Sequence, residues 1–217
     1  APVVTTVVEG FFSRLSFGLL SFTLPLFAYH LGLPLPLIGV LLSVNMAVAM
    51  LVKPAMGAVV DAIGVRPAML AACVLRTVVL VALVFTTAPE GLFWARALHG
   101  VSIALRDPAS ASVLAAVGGK QAVARRFGWY QSAKTLAGSF GQFSAGVLLS
   151  LTLGDHRVVL AIAAALSLIP LGVVAIGLRG SEIAALHVPN RDRAEPPLSP
   201  QLRSSLWRYS FLGFSMT

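Results

Sequence analysis

The chain has 217 residues, 57% of them hydrophobic and 11% charged, with a formal net charge of +8 and a mean hydropathy of +0.87. A soluble domain carries about 25% charged residues, and a chain this short could not hide so much apolar surface from water, so lipid is the expected solvent. The Lys and Arg residues fall between apolar runs instead of on one clustered face, which argues against a nucleic-acid partner, and Cys73, the only cysteine, permits neither an intrachain disulfide nor a cysteine-based metal site.

Six membrane spans are predicted, at residues 11–31, 37–60, 67–86, 91–116, 127–151 and 158–178. Each is close to the roughly 20 residues that cross a hydrocarbon core of about 30 Å. The turns after the first and third spans carry no Lys or Arg. Arg66 follows the second, Lys120, Arg125 and Arg126 follow the fourth, and Arg179, Arg191, Arg193, Arg203 and Arg208 follow the sixth. Cytoplasmic loops are enriched in Lys and Arg, so both ends of the six-helix unit are expected inside, with Arg157 the one exception. Residues 1–179 read as a six-helix lobe and 180–205, rich in Pro, Arg and acids, as a cytoplasmic linker. Residues 206–217 read as the start of a seventh helix, cut short.

Charged and glycine positions in these spans follow an order. After the second span come Gly57, Asp61, Gly64 and Arg66. Gly57 would let a helix end approach a neighbour, Gly64 would permit a tight turn with positive φ, and Asp61 would offer a carboxylate at the membrane face. An ordinary polar turn with Asp61 and Arg66 solvated is the alternative. The fourth span places Arg96, His99, Gly100, Ala104 and Pro108 at helical spacing, with Pro108 ending the helix on the inside. An arginine at mid-helix in lipid costs about 2.5 kcal/mol or more, so Arg96 should face a water-filled cavity or a partner, unless it snorkels to the outer surface. Arg106 and Asp107 are sequence neighbours, point about 100° apart and need separate partners. Asp107 is expected to pair with Arg66, in an inner charge cluster with Asp61.

On the fifth span Gly138, Gly141 and Gly146 form a small-residue face. Lys53 shares a helix face with Gly57 and Asp61 and is expected to reach the inner charge cluster, while Lys134 is the better candidate for lining a cavity. Lys53 and Gly57 parallel Lys134 and Gly138 as a faint internal repeat. Arg76, mid-way along the third span, has no partner that the sequence identifies. No acid lies near mid-membrane, so proton coupling through these spans would have to use Glu9, Asp107 or His99. The excess of Arg76, Arg96, Arg106 and Lys134 over Asp107 favours an anionic substrate. No metal-ligand cluster is spaced for an enzyme.

The second-to-third turn resembles the G-x-x-x-D-R-x-G-R-[RK] signature of the major facilitator superfamily, with Ala62 and Pro67 at two basic positions. The fourth span resembles that family's R-x-x-q-G-x-x-x-A motif, with His99 where Gln is common. The glycines of the fifth span are similar to its antiporter motif, with Gln142 in place of the proline. The resemblance implies an all-α membrane protein, the amino-terminal lobe of two inverted three-helix repeats, working against a second six-helix lobe in the same or another chain. It implies alternating-access transport of a small-molecule solute without a cofactor, with protons as a candidate coupling ion. Arg96 would line the cavity, and Asp61 would dock against the opposite lobe. A non-transporting membrane scaffold or partner subunit is the alternative, to which the missing arginine at Ala62 and the missing proline at Gln142 would also be suited. The abundance of Arg, Ala and Val suggests a bacterial inner membrane.

Overall fold

The computed structural model describes residues 2–116 and 120–178; the linker and seventh-helix expectations lie outside them. Six helices follow one another: α1 (Pro2–His30), α2 (Leu35–Ile63), α3 (Val65–Phe85), α4 (Pro89–Ala116), α5 (Lys120–Leu151) and α6 (His156–Gly177). At 1.5 Å per residue, even the 21 residues of α3 reach about 32 Å, enough to cross a bilayer core. By length and composition α1, α2, α3 and α6 are apolar enough to span a membrane. The other two, α4 and α5, are longer than α3 but carry more of the charge.

Local chemistry explains the boundaries. Pro34 precedes α2 in an extended conformation, and Pro36 sits in the first turn, where its missing N–H costs nothing. Gly64, at φ 90°, is the single residue between α2 and α3, and its N–H donates to the Val60 carbonyl at 2.9 Å. The positive φ expected there is present, but Asp61 belongs to the last turn of α2 instead of to a loop. The Asp155 carboxylate caps α6, accepting from the backbone N–H groups of Arg157 and Val158 at 3.0 and 3.4 Å. Helix α4 does not stop at Pro108 but continues to Ala116, because Pro removes only one intrahelical bond and neighbouring helices hold the rest in line.

The bundle is organised around α1 and α4. The first packs on α5 and α6, the second on α2 and α3, and α3 meets α6. Exchanging α1 with α4, α2 with α5 and α3 with α6 leaves this pattern unchanged. Side-chain pairs give the directions. Gly18 lies against Gly138 and Gly141, and Phe22 near Gly146, so α1 and α5 are parallel. Arg96 reaches Leu42 and Asn45 while Lys53 reaches Asp107, so α2 and α4 are parallel too. Glu9 meets Arg106 and Phe17 meets His99, which makes α1 and α4 antiparallel. Related helices therefore run in opposite directions, as two inverted three-helix repeats require.

Polarity is distributed as in a protein dissolved in lipid. Large apolar side chains such as Leu51, Trp94, Trp129 and Leu151 stand exposed, while Glu9, Asn45, Arg76, Arg96, His99 and Arg106 are buried. Two apolar clusters close the ends of the bundle, one around Leu20, Leu24, Leu80 and Leu160, the other around Met69, Cys73, Val113 and Val174. Cys73 is 2% exposed. It should therefore resist a maleimide in the folded protein and react fully after denaturation in SDS; fast labelling of the folded protein would contradict this packing.

Candidate functional site

The polar interior follows α4, whose Arg96, His99, Ser102, Arg106 and Ser110 recur at helical spacing and are all buried. At its centre Arg106 holds Glu9 of α1 in a bidentate pair, Nε to Oε1 at 2.7 Å and Nη2 to Oε2 at 3.0 Å. Neither side chain is more than 6% exposed. Ser13, one turn along α1, donates to Glu9 Oε1 at 2.6 Å, and Arg106 Nη2 also donates to the Tyr130 hydroxyl of α5 at 3.1 Å. Gly10 makes room for that tyrosine, since a Cβ there would lie 2.5 Å from the ring. Two ions away from water cost several kcal/mol each, so they persist only as a fully hydrogen-bonded pair. This one ties α1, α4 and α5 together.

Arg76 of α3, which the sequence left without a partner, is 4% exposed. It is attracted by the Glu9 carboxylate, yet its Nε and Nη1 have no hydrogen-bond partner. One buried carboxylate thus serves two buried guanidinium groups.

Arg96 is 4% exposed and meets a partner. It donates from Nη2 to the Leu42 carbonyl at 2.9 Å and to Asn45 Oδ1 at 2.6 Å, and from Nε to the Leu41 carbonyl at 3.5 Å. Gly100 lets α2 come this close, because a Cβ there would sit 2.5 Å from the Asn45 carbonyl oxygen. His99 stacks on Phe17 of α1, centroids 5.1 Å apart and planes 13° from parallel, and both its ring nitrogens lack partners.

The inner charge cluster differs from expectation. Asp107 pairs with Lys53, Nζ to Oδ2 at 2.9 Å, and not with Arg66, whose Nη2 donates to the Ala175 carbonyl of α6 at 3.4 Å. The parallel run of α2 and α4 puts Lys53 level with Asp107, whereas Arg66 begins α3 and faces α6. Asp61 is exposed and has no ion-pair partner among the described residues. Gly57 has open space where a Cβ would be, so it mediates no close helix approach here. Gly18, Gly100 and Gly141 do.

The repeat also differs. Gly18 crosses α5 at Gly138 to Gln142, and Gly100 crosses α2 at Asn45 to Ala49. Those stretches correspond, so Lys53 and Lys134 are not equivalent. The matching element is Arg14-x-x-Phe17-Gly18 in α1 and Arg96-x-x-His99-Gly100 in α4, with Phe17 and His99 stacked on each other between the repeats. Comparing the helices for an R-x-x-x-G pattern would have revealed Arg14. The role of Glu9 could have been found by asking which acid balances Arg106.

Arg14 is exposed, its Cζ 4.8 Å from the Phe17 ring centroid. Lys134 places Nζ 4.8 Å from the centroid of Tyr130. Helix α5 continues unbroken past Gln142, which lines an open groove of about 480 Å³ with Phe22, Gly146 and Val147.

The family model of the Major Facilitator Superfamily matches residues 8–217, so the chain belongs to that superfamily, whose members are membrane transporters. A search of curated proteins found no match.

Proposed function

We propose that this member of the Major Facilitator Superfamily is a secondary active transporter that moves an anionic small solute by alternating access. The solute path runs between this six-helix bundle and a second one, with both ends of the bundle in the cytoplasm of a bacterial inner membrane. The observation that carries the reading is the charge gathered along α1, α3, α4 and α5, where Arg14, Arg76, Arg106 and Lys134, with Lys53 on α2, outnumber Glu9 and Asp107. A net positive interior or cleft attracts anions and rejects cations.

Lys134 lies on the proposed solute-facing surface with Arg106 and His99 buried behind it, and Arg96 and Gly100 fix α4 against α2 so that this surface keeps its shape. Of the three candidates for proton coupling, Glu9 is the best supported. It is a buried carboxylate whose protonation would release Arg106 inside the lobe, whereas protonation of Asp107 would free only half-exposed Lys53, and His99 has no hydrogen-bond partner to exchange a proton with. Exposed Asp61, with Gly57, Gly64 and Arg66 around it, supplies the surface on which the second lobe would dock at the cytoplasmic face.

A direct test is capacitive current on a solid-supported membrane carrying the purified protein. Transient currents should follow jumps of organic carboxylates or phosphates and not of quaternary ammonium ions, and should change with an imposed pH gradient. Currents with cations alone would contradict the anion preference, and no current together with no uptake of any labelled solute would favour the non-transporting scaffold that Ala62 and Gln142 also suit.

A further inference from the structure

We infer that Arg14 and Lys134 form the headgroup site for the transported anion, a two-cation clamp for a carboxylate or phosphate on an organic body. This rests on the transport reading above and adds to it the residues that would contact solute. Arg14 projects from α1 and Lys134 from α5, two parallel helices in contact. Neither is in a salt bridge among the described residues. Each cation lies over an aromatic face, Arg14 over Phe17 and Lys134 over Tyr130, both at 4.8 Å. Arg14 packs against Gly138, one helical turn from Lys134 on the same helix, which brings the two cations to one region of the α1–α5 contact, and the Asp107 carboxylate is already bonded to Lys53 at 2.9 Å. Behind them Glu9 is consumed by Arg106. Two neighbouring cations, with no free acid between them among the described residues, are the arrangement an anion would complete.

The internal repeat sharpens the assignment. Arg96, the counterpart of Arg14, is held through Nε and Nη2, because α2 offers it two carbonyls and Asn45. Arg14 crosses α5 at Gly138, whose missing side chain leaves room for the guanidinium (Nε 3.2 Å from where a Cβ would stand) but offers no side-chain acceptor. Arg14 is exposed where Arg96 is buried. The same arginine therefore braces the lobe in one repeat and is free to bind in the other. Phe17, partly exposed beside the pair, offers apolar surface, which suits an organic anion better than a bare inorganic one.

Thermal unfolding of the purified full chain in lipid-free detergent tests this, because a ligand that binds only the folded state raises Tm with its concentration. The probes are benzoate and inorganic phosphate at constant ionic strength, with tetramethylammonium as the cation control. Benzoate should stabilise the wild type more than phosphate does, and tetramethylammonium should not stabilise it. Arg14→Gln and Lys134→Gln should each weaken the apparent benzoate affinity at least tenfold, and Arg14→Lys should lose less than Arg14→Gln. Unchanged benzoate dependence in both Gln variants would overturn the assignment. So would stabilisation by added phosphatidylglycerol without any by benzoate, since the pair would then hold a lipid headgroup. Anion currents that persist in both variants would remove the clamp and leave the transport reading intact. Benzoate binding lost in the variants, from a protein that shows neither current nor uptake of a labelled anion, would retain the clamp and remove that reading.

Discussion

Glu9→Ala should be the most damaging alanine substitution among the buried charged residues, and more damaging than Arg106→Ala. Removing the carboxylate leaves Arg106 buried with Tyr130 as its one side-chain partner and deprives Arg76 of the charge that faces it. Breaking a buried ion pair from one side costs about 3–5 kcal/mol. Removing Arg106 instead leaves Glu9 bonded to Ser13 and still facing Arg76, so that loss should be smaller. The double variant Glu9→Leu, Arg106→Met should recover part of the stability lost in Glu9→Ala, because Arg106 is no longer stranded while Arg76 still lacks its carboxylate. Unfolding followed by tryptophan fluorescence in detergent would rank the three. A Glu9→Ala protein as stable as the wild type would mean that the pair does not hold the lobe together.

The second large effect concerns helix crossings. At Gly100 an added Cβ meets the Asn45 carbonyl oxygen at 2.5 Å, and at Gly18 the Gly138 carbonyl oxygen at 2.5 Å. These are backbone atoms that cannot rotate away, so Gly100→Ala and Gly18→Ala should each cost about 1–3 kcal/mol by forcing the helices apart. Leucine at either site should prevent recovery of folded protein. Gly57→Ala is the contrast. It lies inside α2 with open space around it, and removing a flexible helix-interior glycine there should be neutral or stabilise by about 0.5–1 kcal/mol. Equal losses at Gly57 and Gly100, read by the same unfolding assay, would contradict the two crossings.

These two groups of residues also show what could be read from sequence and what could not. The number of spans was legible because it depends on runs of apolar residues, and the family was legible in Gly64 and Arg96 with their neighbours. The need for partners was legible as well: Arg106 and Asp107 were expected to find different ones, and they do. Which partner each takes was not, because it depends on helix order in space. Lys53 and Asp107 are far apart in the chain and come level only once α2 and α4 run side by side. Glu9 looked like an end-of-helix acid because the apolar run begins at Phe11, yet α1 starts at Pro2 and carries Glu9 inside the bundle. Gly57 and Gly100 are indistinguishable by residue type, and only the packing shows that one is crowded and the other is open.

Arg14 is a further instance. Its R-x-x-x-G pattern was present in the sequence, but a charged residue near a predicted helix end reads as solvated until its repeat counterpart is seen at work. The comparison of Arg14 with Arg96 depends on knowing that α1 and α4 are exchanged by the internal symmetry. The apolar outer surface, by contrast, follows directly from composition, since side chains such as Leu51 and Trp129 have nowhere to go but lipid.

Solute counterflow into proteoliposomes is the measurement closest to the central claim. Vesicles holding purified protein and preloaded with an unlabelled organic anion should take up the labelled anion in a saturable way. That uptake should fall at least tenfold in Lys134→Gln and be absent from protein-free vesicles. Uptake that rises linearly with concentration, equal with and without the protein, would contradict the account and leave the bundle a membrane scaffold.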